Sequence, residues 1–272
     1  MRLLRWFIVI VFVITTALFA TFYLKEKMTT DDTVPVITVD KELIEVSFHA
    51  TDEELLQGVT AYDEKDKDLT DRIIVESVSK FLEDGVCKVV YAVCDNDNNV
   101  VNATRKIKYK NYESPKFYVE ESLCYSIYDN IDISGAIQAK DCIDGDISRS
   151  IIVTSEDFTG SVAGVFNIEV SVTNSKGDTS TIKLPLVLED RSLSAPVINL
   201  REYLIYADIG EQIDFESYLV DIQTKQQTEI PLESVRIESN VDMSKEGLYS
   251  VHYYVTDSSG AQGHSILNVI VG

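Results

Sequence analysis

The stretch Gly247-Leu248-Tyr249-Ser250-Val251-His252-Tyr253-Tyr254-Val255-Thr256-Asp257-Ser258-Ser259-Gly260 decides the fold. Tyr249, Val251, Tyr253 and Val255 fall on one parity, and Ser250, His252, Tyr254 and Thr256 on the other. Successive side chains of a strand point to opposite faces of its sheet, so a period of two with one apolar face predicts a half-buried β-strand. Asp257 to Gly260 then supplies the polar, positive-φ residues of a hairpin turn, and a further β-prone run follows it.

Working outward, the same pattern recurs twice. Gly85 precedes Cys87, Val89, Tyr91 and Val93 on one parity and the polar turn Asp95-Asn96-Asp97-Asn98-Asn99. Gly164 precedes Phe166, Ile168, Val170 and Val172, interleaved with Asn167, Glu169, Ser171 and Thr173, and the turn Asn174-Ser175-Lys176-Gly177-Asp178. Each copy opens on a proline followed by a short β-prone run: Pro35-Val36-Ile37-Thr38-Val39, Pro115-Lys116-Phe117-Tyr118-Val119 and Pro196-Val197-Ile198-Asn199-Leu200. Proline at the first position of a strand removes no ladder hydrogen bond. The openings lie about 80 residues apart, which marks an internal repeat. Helical periodicity is nearly absent in these segments, and several short strands with regular turns predict an all-β architecture of three small sandwiches. They span residues 34–110, 114–189 and 195–272, with linkers Asn111 to Glu113 and Asp190 to Ser194. Domains this small bury a modest share of their surface, so packing across the short linkers is expected to matter. Pro185, inside the last strand of the second segment, predicts an edge strand.

Residues 1–27 have a different character. Arg2 and Arg5 precede an uncharged run from Trp6 to Leu24, which Lys25, Glu26 and Lys27 close. Those 19 residues approach the ~20 needed to cross a bilayer as a helix. The flanking cations favour a cytoplasmic N-terminus. The run is longer than the apolar region of a cleaved signal peptide, and bulky Phe22-Tyr23-Leu24 follow Ala17 and Ala20, which favours an uncleaved anchor. The expectation is a single-pass cell-membrane protein whose domains, after a linker at 28–33, lie outside the cell.

Charge narrows the partners. With 45 acidic and 24 basic residues, the chain carries a net charge of −21. Phosphate backbones repel such a surface, so nucleic acid is excluded as a partner, whereas glycans and proteins stay open. Four cysteines permit disulfides outside the cytoplasm. Cys87 and Cys94 sit seven apart on one strand and face opposite ways, so they cannot bridge, while Cys124 and Cys142 fall in one domain and are the remaining candidate pair.

The second copy contains Ala139-Lys140-Asp141-Cys142-Ile143-Asp144-Gly145-Asp146-Ile147-Ser148, and the first contains Ala61-Tyr62-Asp63-Glu64-Lys65-Asp66-Lys67-Asp68-Leu69-Thr70, with lysine in place of the glycine. With the proline openings and the closing motif from Gly247 to Gly260, these resemble the bacterial Ig-like repeat. That repeat occurs on Gram-positive surface proteins and on some pesticidal crystal proteins, and is related to hyalin-type and cadherin-like repeats. The third copy departs from the pattern, keeping only Asp221 near the acidic motif. The resemblance covers the chain after residue 34 and implies three tandem immunoglobulin-like β-sandwiches. Modules of this kind serve as spacers, adhesins or glycan-binding accessories, so two functions are carried forward: binding of a cell-wall glycan or surface protein, in adhesion or envelope organisation, and a non-binding structural spacer or scaffold that interacts with membrane partners through its anchor.

Asp63, Asp66 and Asp68 repeat the spacing of Asp141, Asp144 and Asp146. Three carboxylates within six residues offer hard oxygen ligands to Ca²⁺, the one cofactor the sequence suggests. Aspartates capping their own turn give the same pattern, and both readings stand at this point. His252 and His264 flank one turn and read as cross-strand neighbours on a solvent face rather than a metal pair. Tyr254 and Tyr128 fall on outward parity, where a ring serves recognition or is a lone surface residue. No nucleophile elbow, zinc-protease helix motif, P-loop or dinucleotide fingerprint occurs, and a non-enzymatic protein is expected.

Overall fold

The computed structural model describes residues 2–29, 33–83, 85–156, 162–225 and 229–272. Helix α1 (Arg2–Thr29) opens the chain. Its apolar part, Arg5–Lys25, has 21 residues and is long and apolar enough to cross a membrane. Thr15, Thr16 and Thr21 donate their hydroxyls to carbonyls one turn back, so these polar groups need no outside partner.

The first sandwich follows. Strands β1 (Val36–Val39), β3 (Val59–Asp63) and β4 (Lys67–Asp68) form one sheet. Strands β2 (Leu43–Val46), β7 (Val100–Tyr109), β6 (Val86–Cys94) and β5 (Ile74–Val78) form the other, in that order. The expected alternation holds: Cys87, Val89, Tyr91 and Val93 of β6 are all at most 2% exposed. The opening segment divides between sheets, since β1 pairs antiparallel with β3 and β2 pairs parallel with β7. A four-residue helix α2 (Asp52–Leu55), held by a Thr51/Glu54 capping box, ends where Tyr91 donates its hydroxyl to Leu55 O.

The second and third sandwiches repeat this topology. In the second, β8 (Lys116–Val119), β10 (Ile137–Asp141) and β11 (Gly145–Asp146) face a sheet ordered β9 (Cys124–Ser126), β14 (Thr179–Glu189), β13 (Gly164–Thr173) and β12 (Ile152–Glu156). In the third, β15 (Val197–Leu200) and β17 (Leu219–Gln223) face β16 (Leu204–Ala207), β20 (Gln262–Val271), β19 (Gly247–Thr256) and β18 (Arg236–Ser239). The central hairpins β6–β7, β13–β14 and β19–β20 are those read from the sequence. Pro185 needs a correction: β14 has neighbours on both sides over Val187–Glu189, where β9 joins, and is an edge only before that point. The proline sits where no second ladder bond is required of it.

The chain divides into two compact units, Met1–Asn111 and Tyr112–Gly272. The second holds both later sandwiches, and their buried side chains form one continuous cluster. Phe117 N donates to the Tyr206 hydroxyl at 3.0 Å, and that hydroxyl lies 3.3 Å from Phe117 O. Ile266 of β20 is fully buried against Cys124 and Val187 of the second sandwich. Gly263 of β20 lies so close to β15 that a Cβ there would stand 2.2 Å from Pro196 O.

Candidate functional site

The six aspartates that suggested calcium are bonded to N–H and O–H groups. Asp63 Oδ2 accepts from Lys65 N and Asp66 N, and Asp141 Oδ1 accepts from Ile143 N and Asp144 N. Both are buried. Asp68 and Asp146 accept from the hydroxyl and the backbone N–H of Thr70 and Ser148, and these contacts, the hydroxyl first, hold their carboxyls below the usual range. Asp66 accepts from Asn96 N and Asn96 Nδ2, and Asp144 from Ser175 N and Ser175 Oγ, so each reaches the turn of its own central hairpin. Each motif thus folds as a capped turn that clasps one sheet to the hairpin of the other. The position after Asp66 adopts φ +69° at Lys67, matching φ +72° at Gly145.

A second cluster lies where the two later sandwiches meet. Among the described residues, Cys124, Glu189 and His264 have ligand atoms all within 4.8 Å of one another. Cys124 opens β9, Glu189 ends β14 and His264 lies near the start of β20. His264 Nδ1 is 3.1 Å from Cys124 Sγ and 2.7 Å from Glu189 Oε1. Its Nε2 is 2.9 Å from His252 Nδ1, and the Tyr254 ring stacks on the imidazole at 4.3 Å. Arg191 donates to the backbone oxygens of both Cys124, at 2.7 Å, and His264, at 3.1 Å.

Sequence reasoning placed His264 on a solvent face, yet it is only 5% exposed. The parity is right, because His264 and Ile266 do point away from the core of the third sandwich. That face is covered by the second sandwich. Burial and the neighbouring His264 hold His252 below the usual histidine range. Burial pushes the Cys124 thiol up. The hydrogen bond from His264 keeps Glu189 low against the cost of burial. Tyr254 is not a free ring, since it lies between His264 and the guanidinium of Arg236. Tyr128 is exposed and donates to Asp190. The candidate pair Cys124–Cys142 forms no disulfide, and Cys142 lies by Glu113 O in the acidic turn.

Residues 212–271 match the family described as bacterial surface protein, Ig-like domain. Over 137 residues the chain is 31% identical to an uncharacterised 81.3 kDa protein of Acholeplasma phage L2, covering 49% of this chain and 18% of that protein. Among solved structures, the M60 catalytic domain with two CBM51 domains from Clostridium perfringens ZmpB shares 15% identity, covering 89% of this chain and 31% of that one, at a TM-score of 0.24. Drosophila N-cadherin EC1–4 shares 12%, covering 89% and 76%, also at 0.24. The Ig-like reading of the third sandwich rests on its family match and on the strand pairing above.

Proposed function

We propose that this chain is a membrane-anchored extracellular protein whose Ig-like domains bind a glycan or protein at the bacterial cell surface. The observation that carries the reading is a surface Ig-like domain in a chain that opens on a 21-residue apolar helix. The helix serves as an uncleaved signal-anchor with its N-terminus in the cytoplasm, as Arg2 and Arg5 favour. The net charge of −21 suits a cationic or neutral ligand. The third sandwich is the first place to seek contact. Among the described residues its β17 pairs with β15 alone and carries the exposed Val220, so an extended segment has an edge to join. A second reading, a non-binding spacer or scaffold that meets membrane partners through its anchor, draws on the hairpin tips, which are closed by their own Asp95, Asn174 and Asp257.

Co-sedimentation of the detergent-solubilised full chain with insoluble envelope material tests this. Saturable binding, competed by soluble glycan fragments or removed by protease treatment of the envelope, is the expected result. Binding no greater than that of an unrelated β-sandwich would establish the spacer instead.

A further inference from the structure

Three side chains of different chemistry converge at the junction. His264 Nδ1 faces both Cys124 Sγ and Glu189 Oε1, and the Cys124 thiol also hydrogen-bonds the Glu189 carboxylate. In the metal-free chain Nδ1–H and the thiol S–H are both donated to that carboxylate. A sulfur, a nitrogen and an oxygen, all within 4.8 Å of one another, are thus gathered around one point that a single cation can bridge. A nucleophilic arrangement is disfavoured by the same geometry. A base that activates a thiol needs its orienting carboxylate on the opposite ring nitrogen, and here both groups share one nitrogen.

We propose that Cys124, Glu189 and His264 form a zinc site that joins the second and third sandwiches. Thiolate, imidazole and carboxylate are all ligands zinc accepts. Thiolate and carboxylate together carry −2, which a divalent ion cancels in a half-buried place where net charge is costly. The supporting groups are in place. His264 binds through Nδ1 and donates Nε2–H to His252 Nδ1, the second hydrogen bond that fixes a ligating histidine. Tyr254 fixes the plane of the ring. Arg191 ties the backbone of Cys124 to that of His264. Tetrahedral zinc separates neighbouring ligand atoms by about 3.4–3.6 Å, so the present contacts open by about half an ångström as the ion enters. The thiol proton leaves to solvent as the zinc–sulfur bond forms. A shallow cavity lined by Ser126, Asp129, Arg191, Cys124 and His264 gives entry and leaves the fourth position to water. Two ligands come from the second sandwich and one from the third, so the ion acts as a staple between them.

The test is a Co²⁺ titration of the reduced, metal-free full chain in detergent micelles. The expected result is a thiolate-to-cobalt charge-transfer band with tetrahedral d–d absorption, saturating at one equivalent and lost on addition of Zn²⁺. The Cys94→Ser and Cys142→Ser variants keep the band and Cys124→Ser loses it. Because Cys124 is buried, Glu189→Gln provides a second arm: that side chain is one-third exposed, the shape is conserved, and zinc affinity falls about ten-fold or more with the far-UV spectrum unchanged. No thiolate band in the wild-type chain would overturn the proposal. So would a band that survives Cys124→Ser, or unchanged zinc affinity in Glu189→Gln.

Discussion

At the sixth register pair from the hairpin end, the first sandwich buries Arg105 where the third buries Leu267 and the second Leu184. The same strand frame tolerates either, but for different reasons. Leucine packs against its neighbours. Arg105 survives with its side chain fully buried because Leu55 O, Gln57 O, the Tyr91 hydroxyl and Asp40 converge on its guanidinium. Leu55 O, at the end of helix α2, accepts from both Arg105 and the Tyr91 hydroxyl, so the guanidinium shares in closing that helix end. The edges differ too. The first sandwich caps its hairpin turn with Asp95 and also clasps its acidic turn to that tip through Asp66 and Asn96, whereas the hairpin turn of the third is capped by its own Asp257 without an acidic turn beside it. Topology is therefore set by the alternating hairpins, and each sandwich closes its ends with local polar chemistry of its own.

Substitutions can break that comparison in graded steps. Arg105→Ala removes the guanidinium donor to Gln57 O and leaves a cavity, so it should cost the first unit about 3–5 kcal/mol. Native-state hydrogen exchange of β6 and β7 amides reads this, with the β19–β20 amides as an internal reference. An Arg105 variant that leaves β6 protection unchanged would show that leucine-like packing suffices there. Asp63→Ala orphans Lys65 N and Asp66 N beside a buried position and should cost about 2 kcal/mol in the same amides. Lys67→Gly acts in the opposite direction. A non-glycine residue at φ +69° is strained, and restoring the glycine found at position 145 should stabilise the first unit by about 0.5–1 kcal/mol. The smallest effect concerns calcium. Aspartates already bonded to backbone N–H groups should give no rise in melting temperature at millimolar Ca²⁺, in the wild-type chain or in Asp66→Asn with Asp144→Asn. A rise present in the first and absent in the second would reassign both turns to a cation.

Much of the fold was legible because period-two alternation is a local signal. Gly85, Gly164 and Gly247 each announce a strand whose inward residues can be named from parity alone. The acidic turns were legible as motifs, but their partners were not: Asn96 and Ser175 lie some thirty residues away on another strand pair. The junction cluster left no spacing to read. Its histidine is 140 residues from its cysteine and 75 from its glutamate. Parity placed His264 correctly on the outer face of its strand, and burial followed from a neighbouring sandwich that parity cannot report. A buried outer face did leave one trace, since β20 runs Ile266-Leu267 with both residues apolar where strict alternation would place a polar one.

The parallel pairing of each sandwich's second and last strands has a mechanical consequence. In the first and third, four residue pairs join β2 to β7 and β16 to β20, and in the second, three join β9 to β14. Tension applied through the two ends of a sandwich pulls such strands past one another along their length. The hydrogen bonds between them then stretch together rather than opening one after another, so a tug on the chain meets a collective resistance. A protein tethered at one end and gripping something at the other would transmit load through its domains before unravelling them.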